Sequence, residues 1–158
     1  MSFLVGPLDE LVRLVHIAAV IAWVGLLHFL AFIRPRITDP LGEGTRKEVL
    51  PHMAAQSIPW VSWGALIALL AGVVLYLDRI IRASWGEVAM ELHIGSVLGL
   101  VMVGLTHALV LPGLRRLAAV KDGAAPPPSG LTGRTLTASR WTAFLSWVVL
   151  ALMVVGAH

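Results

Sequence analysis

Six histidines punctuate a chain that is apolar over most of its 158 residues, and four of them, His16, His28, His93 and His107, lie inside hydrophobic runs. A neutral imidazole presents one nitrogen lone pair to a transition metal, and two imidazoles on facing helices can take the two axial positions of a haem iron. His93 and His107 are fourteen residues apart. On an ideal helix that spacing brings them within about 40° of one face and separates them by about 21 Å. That is roughly two-thirds of a hydrocarbon core about 30 Å thick, so one histidine is expected near each membrane surface. Gly104 lies about 20° from His93 on the same face, where a flat cofactor could approach the backbone.

The other histidines sort onto the same two levels. His16, His93 and the C-terminal His158 belong to one level, and His28, His52 and His107 to the other. The outer pair His16/His93 is the better matched. Trp23 falls within about 20° of His16, where it can pack beside a ring held there. His28 is about 120° from His16. It therefore faces between different helices, or it is structural and His52 partners His107. Met53, Met90, Met102 and Met153 are soft donors that, with histidine, suit copper(I), although methionine more often fills gaps in apolar cores. Arg13, Arg79 and Arg82 on one side, and Arg34, Arg36, Arg115 and Arg116 on the other, can pair with acidic groups of a ligand or simply set membrane topology. Glu87 and Glu91 could carry protons, though capping and solvation explain Glu87 as well. No phosphate loop, nucleophile–base pair or zinc motif is present.

The elements that must position these groups are four hydrophobic helices, expected at about 8–33, 51–80, 85–113 and 138–157. Asp9 is the expected cap of the first, and Arg34-Pro35-Arg36 its end, because proline disfavours helix in the residue before it. Pro59 starts or kinks the second, with Trp60 and Trp63 as interfacial anchors. Ser84-Trp-Gly-Glu87 has the form of a capping box for the third, and Pro112-Gly113 ends or bends it. Gly95-x-x-x-Gly99 is a small-residue packing motif. Lys121 to Gly133, with Pro126-Pro127-Pro128, reads as a linker to the fourth helix.

Composition agrees. The chain is 58% hydrophobic and 13% charged, with a mean hydropathy of +0.85, whereas soluble domains carry about 25% charged residues. No cysteine is present, which removes disulfides, thiolate metal sites, iron–sulfur clusters and c-type haem attachment. The net charge of +3 does not indicate nucleic-acid binding, because the basic residues flank apolar segments. No cleavable leader is expected, since Asp9 and Glu10 precede the first apolar run without a basic region. Nine of the twelve Lys/Arg residues fall in the first and third loops. The expectation is a single all-α integral membrane domain spanning 1–158, an up-down bundle of four transmembrane helices. The positive-inside rule places both termini on the non-cytoplasmic side.

The segment His16-Ile-Ala-Ala-Val-Ile-Ala-Trp23-Val-Gly25 resembles the first-helix signature of a group of small membrane proteins. The group comprises copper resistance protein D, the membrane portion of cytochrome-type bacterial urate oxidases and the four-helix protoporphyrinogen oxidase. Gly72-Val-Val-Leu-Tyr76 and the Trp85…His93…His107 helix extend the likeness over nearly all four spans. The resemblance implies haem b held by transmembrane histidines, here His16, His93 and His107, in a bacterial-type inner membrane. Gly95 stands where the oxidase usually has a lysine, and Thr106-His107 where it has Tyr-His. The other two types are usually longer.

The function expected is that of a b-type haem protein carrying electrons within or across the bilayer, with one haem and donors for a second. His16 and His93 would hold the outer iron, and His107 with His52 or His28 the inner. A quinone or redox protein is the expected partner, and the chain would act alone, as a homo-oligomer or as a subunit of a respiratory complex. The competing readings are a porphyrinogen-oxidising enzyme, a copper-handling protein and a cofactor-free accessory subunit.

Overall fold

The computed structural model describes residues 6–83, 85–122 and 129–155. Four long helices make up almost all of it: α1 (Pro7–Thr38), α2 (Glu43–Ala83), α3 (Met90–Asp122) and α4 (Ser129–Val155). There is no strand among the described residues. All four helices are long and apolar enough to cross a membrane, as in a multi-pass membrane protein. α1 and α3 each pack against both α2 and α4, but α1 does not approach α3, nor α2 α4. The helices therefore stand at the corners of a square, with α1 diagonal to α3.

The core is a narrow seam. Trp23, Leu27 and Leu30 of α1, Val61, Ala65 and Ala68 of α2, and Met102, Val110 and Leu111 of α3 belong to one buried apolar cluster. The outward faces carry large apolar side chains, among them Leu14, Ile21, Leu70, Val97 and Leu150, each more than half exposed on the protein alone. Small residues set the close approaches. A Cβ on Gly64 would lie 3.0 Å from Trp23 Cβ, and one on Gly113 would fall inside the Thr135 side chain. Gly95 is likewise packed against Leu152 and Met153, whereas Gly99, the other half of that motif, faces open space. Core hydroxyls are spent within their own helices. Ser57, Thr106, Ser139 and Thr142 each donate to the carbonyl four residues earlier.

The helices run further than the sequence indicates, for local reasons. α1 does not stop at Arg34. Phe29–Ile33 forms a π-helical turn, the Arg34 N–H closes on the Phe29 carbonyl, and α-helix resumes over Arg34–Thr38. In α3 the π turn is Thr106–Val110, the Leu111 N–H closes on the Thr106 carbonyl, and helix continues through Pro112. In an α-helix a proline clashes with the carbonyl four residues before it and leaves that carbonyl unpaired. Those carbonyls belong to Ala31 and Ala108, the central residues of the two π turns. Widening the backbone there accommodates the proline without ending the helix. α2 begins at Glu43 and carries both Pro51 and Pro59 in its interior. The first cap is Gly6 rather than Asp9. Gly6 has φ +54°, Pro7 follows as a first-turn residue, and Asp9 pairs with Arg13 at 3.1 Å. α3 starts at Met90, after a 3₁₀ turn over Trp85–Glu87. Ser84 of the expected capping box, the proline run of the linker and His158 lie outside the described residues.

The two π turns begin 77 positions apart, and so do His16 and His93, Ala31 and Ala108, and Pro35 and Pro112. The partner helices match at a distance of 78. Buried Val61, Gly64, Ala65 and Ala68 of α2 correspond to buried Ser139, Thr142, Ala143 and Ser146 of α4, and exposed Trp63 to exposed Trp141. The chain is thus two matched helical hairpins, α1–α2 and α3–α4.

Candidate functional site

The inner level is built on the π turns. His28 is the last α-helical residue before the first, and His107 lies within the second. Each ring points Nδ1 at the carbonyl one turn back, Val24 O at 2.9 Å for His28 and Val103 O at 3.0 Å for His107. A carbonyl can only accept, so Nδ1 carries the proton and Nε2 keeps its lone pair. Both Nε2 atoms are buried and without a hydrogen-bond partner. This is the donor arrangement of metal-ligating histidine, in which a carbonyl fixes the tautomer and the far nitrogen is left for the metal. The Trp147 ring of α4 meets His28 edge-on at 5.8 Å, and Phe32 lies at 6.0 Å. His28 therefore faces the α1–α4 seam, consistent with its expected angular displacement from His16. Leu27, Leu30, Val110 and Leu111 fill the core around this level.

At the outer level both histidines are tied to α2. His16 Nδ1 lies 2.9 Å from Ala68 O, and its ring rests on Gly72, where a Cβ would come within 2.9 Å of Cε1. His93 Nδ1 lies 2.5 Å from the Tyr76 hydroxyl, and its ring stacks at 4.5 Å on Trp85. Ala68, Gly72 and Tyr76 follow one another at intervals of four, so a single ridge of α2 receives one histidine from each neighbour. His16 has the same carbonyl-fixed tautomer as the inner pair. His93 does not, because Tyr76 can donate or accept, and Nε2 bears a lone pair only when Nδ1–H donates to the phenol oxygen.

The remaining expected site residues are placed less centrally. His52 is exposed, its Nδ1 directed to Glu48 O at 2.8 Å along its own helix. Trp23 is buried, with its Cβ against Gly64 and its Nε1 unpartnered. Gly104 is exposed, with open space where a side chain would project. Among the described residues no three His, Asp or Glu side chains converge as a metal cluster. A macrocycle supplies four donors of its own and requires only two from the protein.

Tyr76 and Trp85 were not assigned roles from sequence. The four-residue ladder Ala68, Gly72, Tyr76 was the available signal, since it places the lone tyrosine at the histidine level. An open groove of about 290 Å³ also runs along the α1–α2 seam beside the first π turn, lined by Leu26, Phe29, Met53, Gln56, Ser57 and Trp60. Searches against protein-family models, curated proteins and solved structures found no match to this chain.

Proposed function

We propose that the chain is an up-down bundle of four transmembrane helices that binds b-type haem at its inner level, through His28 and His107, and carries electrons within or across the membrane. One observation carries this reading: two buried Nε2 lone pairs, on diagonally opposed helices, each with its tautomer fixed by a backbone carbonyl and neither with a partner. Leaving a buried polar nitrogen unpaired costs about 1–3 kcal/mol, and π turns recur at functional sites. The haem would supply a one-electron iron centre. The protein's part is to hold two neutral imidazoles and exclude water. Trp147 and Phe32 shield His28, and Leu27, Leu30 and Val110 keep the surroundings apolar. The likeness to copper resistance protein D and the four-helix oxidases belongs with this proposal. It differs from the expectation drawn from spacing alone in preferring the inner level. His16 and His93 are donors for a second haem.

The remaining parts of the reading follow from the same arrangement. The bilayer is the solvent for the apolar outer faces. The excess of Lys/Arg in the first and third loops puts both termini on the non-cytoplasmic side of a bacterial-type inner membrane. A hydroquinone suits the outer level as electron donor, because its oxidation releases protons and the Tyr76–His93 hydrogen bond joins two groups that can accept and pass them. A redox protein or a larger respiratory assembly would take the electrons.

The test is an optical spectrum of the purified protein, oxidised and dithionite-reduced, as isolated and after haem addition. A bis-histidine b-type spectrum is expected in the wild type and in His52→Ala, and loss of one haem equivalent in His28→Ala and in His107→Ala. Absence of Soret absorbance after haem addition rejects haem binding. Loss in His16→Ala and His93→Ala with retention in the other two moves the site to the outer level. Copper content of the same preparation tests the copper-handling alternative.

A further inference from the structure

The groove beside the first π turn plays no part in holding haem, and its lining is selective. α1 contributes Leu26 and Phe29, and α2 contributes Met53, Gln56, Ser57 and Trp60. None of the six is charged. Gln56 and Trp60 are exposed and stand one turn apart on the same ridge of α2. Among the described residues neither makes a hydrogen bond within the chain. Ser57 donates its hydroxyl hydrogen to Met53 O at 2.7 Å and keeps only acceptor lone pairs. Gln56 and Trp60 belong to the first turns of an uncharged run, Met53 to Leu77. As helix that run is about 37 Å long, somewhat more than an apolar layer about 30 Å thick. The groove therefore opens at the boundary of the apolar layer, at the inner end of the bundle.

These features choose among the molecules a bilayer can offer. An acyl chain has no use for a carboxamide, an indole N–H and a hydroxyl in one groove. A phospholipid head group carries an anionic phosphate, and no cation lines the groove. A volume of about 290 Å³ is at the small end of ligand sites and takes one substituted ring rather than a head group with two chains. Aromatic walls, Phe29 on one helix and Trp60 on the other, suit a flat ring. We propose that the groove seats the ring of a membrane quinone, with the apolar tail of the molecule in the bilayer. Gln56 and Trp60 donate to the carbonyl oxygens of the quinone form. The Gln56 carbonyl and the Ser57 hydroxyl oxygen accept from the hydroxyls of the hydroquinone form, so one seat serves both. Phe29 opens the π turn and directly follows His28, so the ring lies against the segment that carries an inner imidazole. This seat is separate from the outer-level hydroquinone site at Tyr76 and His93. It rests on the electron-carrying reading for its purpose and not for its binding.

The experiment uses the full chain in phosphatidylcholine nanodiscs and a short-tailed benzoquinone bearing a photoreactive azide, with labelled sites mapped on peptides. The competitors are the same quinone without azide and phosphatidylglycerol. Saturable labelling is expected on the groove segments of α1 and α2, competed by the quinone and not by the phospholipid. The half-saturating concentration should rise about two- to tenfold in Gln56→Leu and in Trp60→Phe, as for loss of a neutral hydrogen bond. Leu26→Trp, which fills the groove from α1, should abolish labelling there. Trp63→Phe, at an exposed position outside the groove, should leave it unchanged. Labelling confined to the Tyr76 and His93 segments overturns the proposal and leaves the outer-level site standing. Competition by phosphatidylglycerol equal to that by the quinone makes the groove a lipid seat and overturns it too. So does equal half-saturation in wild type, Gln56→Leu and Trp60→Phe, or labelling of the groove that persists in Leu26→Trp. A missing haem spectrum leaves the proposal intact, since no groove residue is a proposed iron ligand. Should a variant not fold, the wild-type labelling map and its competition decide.

Discussion

The buried Nε2 atoms of His28 and His107 set two energetic effects against each other when either residue is replaced. Changing His28 to Leu removes the Nδ1 bond to Val24, worth about 1 kcal/mol, and also an unpaired buried nitrogen that costs about 1–3 kcal/mol. The ligand-free variant is therefore expected to be at least as stable as the wild type, by chemical or thermal unfolding in detergent, while losing haem. Clear destabilisation of the ligand-free protein would mean that the imidazole works in packing. Tyr76 behaves oppositely. Tyr76→Phe deletes the partner of His93 and should cost about 0.5–1.5 kcal/mol. It should also change the His93 tautomer populations read from ¹⁵N ring shifts, and unchanged shifts would refute the pairing. Histidine types and spacings, and their sorting into two levels, were legible in the sequence. Which nitrogen each ring spends was not, because that depends on carbonyls such as Ala68 O, fifty-two residues from His16.

At the scale of the helices, the apolar runs announced four elements, and four are present. Their ends were harder to read. Pro35 and Pro112 were expected to stop or bend their helices, yet each is carried through by a π turn centred on the carbonyl it would have struck. Proline identity reveals the conflict but not its resolution, which depends on the packing of the following turn. Here that turn holds Arg34 and Thr38 in one helix and Leu111 and Leu114 in the other, all buried. Gly95 and Gly99 make the same point. The motif names both, and only the first has a helix against it. A more demanding contact lies at Gly113. Gly113→Ala drives a methyl into Thr135 and is expected to destabilise by about 1–3 kcal/mol, as overpacking does. Gly99→Ala should stay within about 0.5 kcal/mol of wild type. Equal melting of the two variants would show that α3 and α4 are further apart at Gly113 than described.

Taken whole, the molecule has a thin core and large apolar outer faces, an arrangement stable only where the surroundings are themselves apolar. The proposed orientation rests on the charge at the helix ends. Reporter fusions at each terminus should show activity for a periplasmic enzyme and silence for a cytoplasmic fluorophore, and the reverse pattern would contradict the positive-inside assignment. The absence of cysteine also allows single engineered thiols to be probed for accessibility from either side.

The correspondence between the hairpins has a use beyond description. Position for position, each half of the chain is a variant of the other. Leu105 occupies in α3 the place that His28 holds in α1, and Leu30 occupies in α1 the place that His107 holds in α3. Both halves agree at His16 and His93 and at the two prolines. Where they disagree, a leucine stands at the equivalent place in the other half, which makes His28→Leu and His107→Leu the natural substitutions to compare. The inner imidazoles are of the second kind, so each hairpin suggests the replacement that would make the two halves alike at that level.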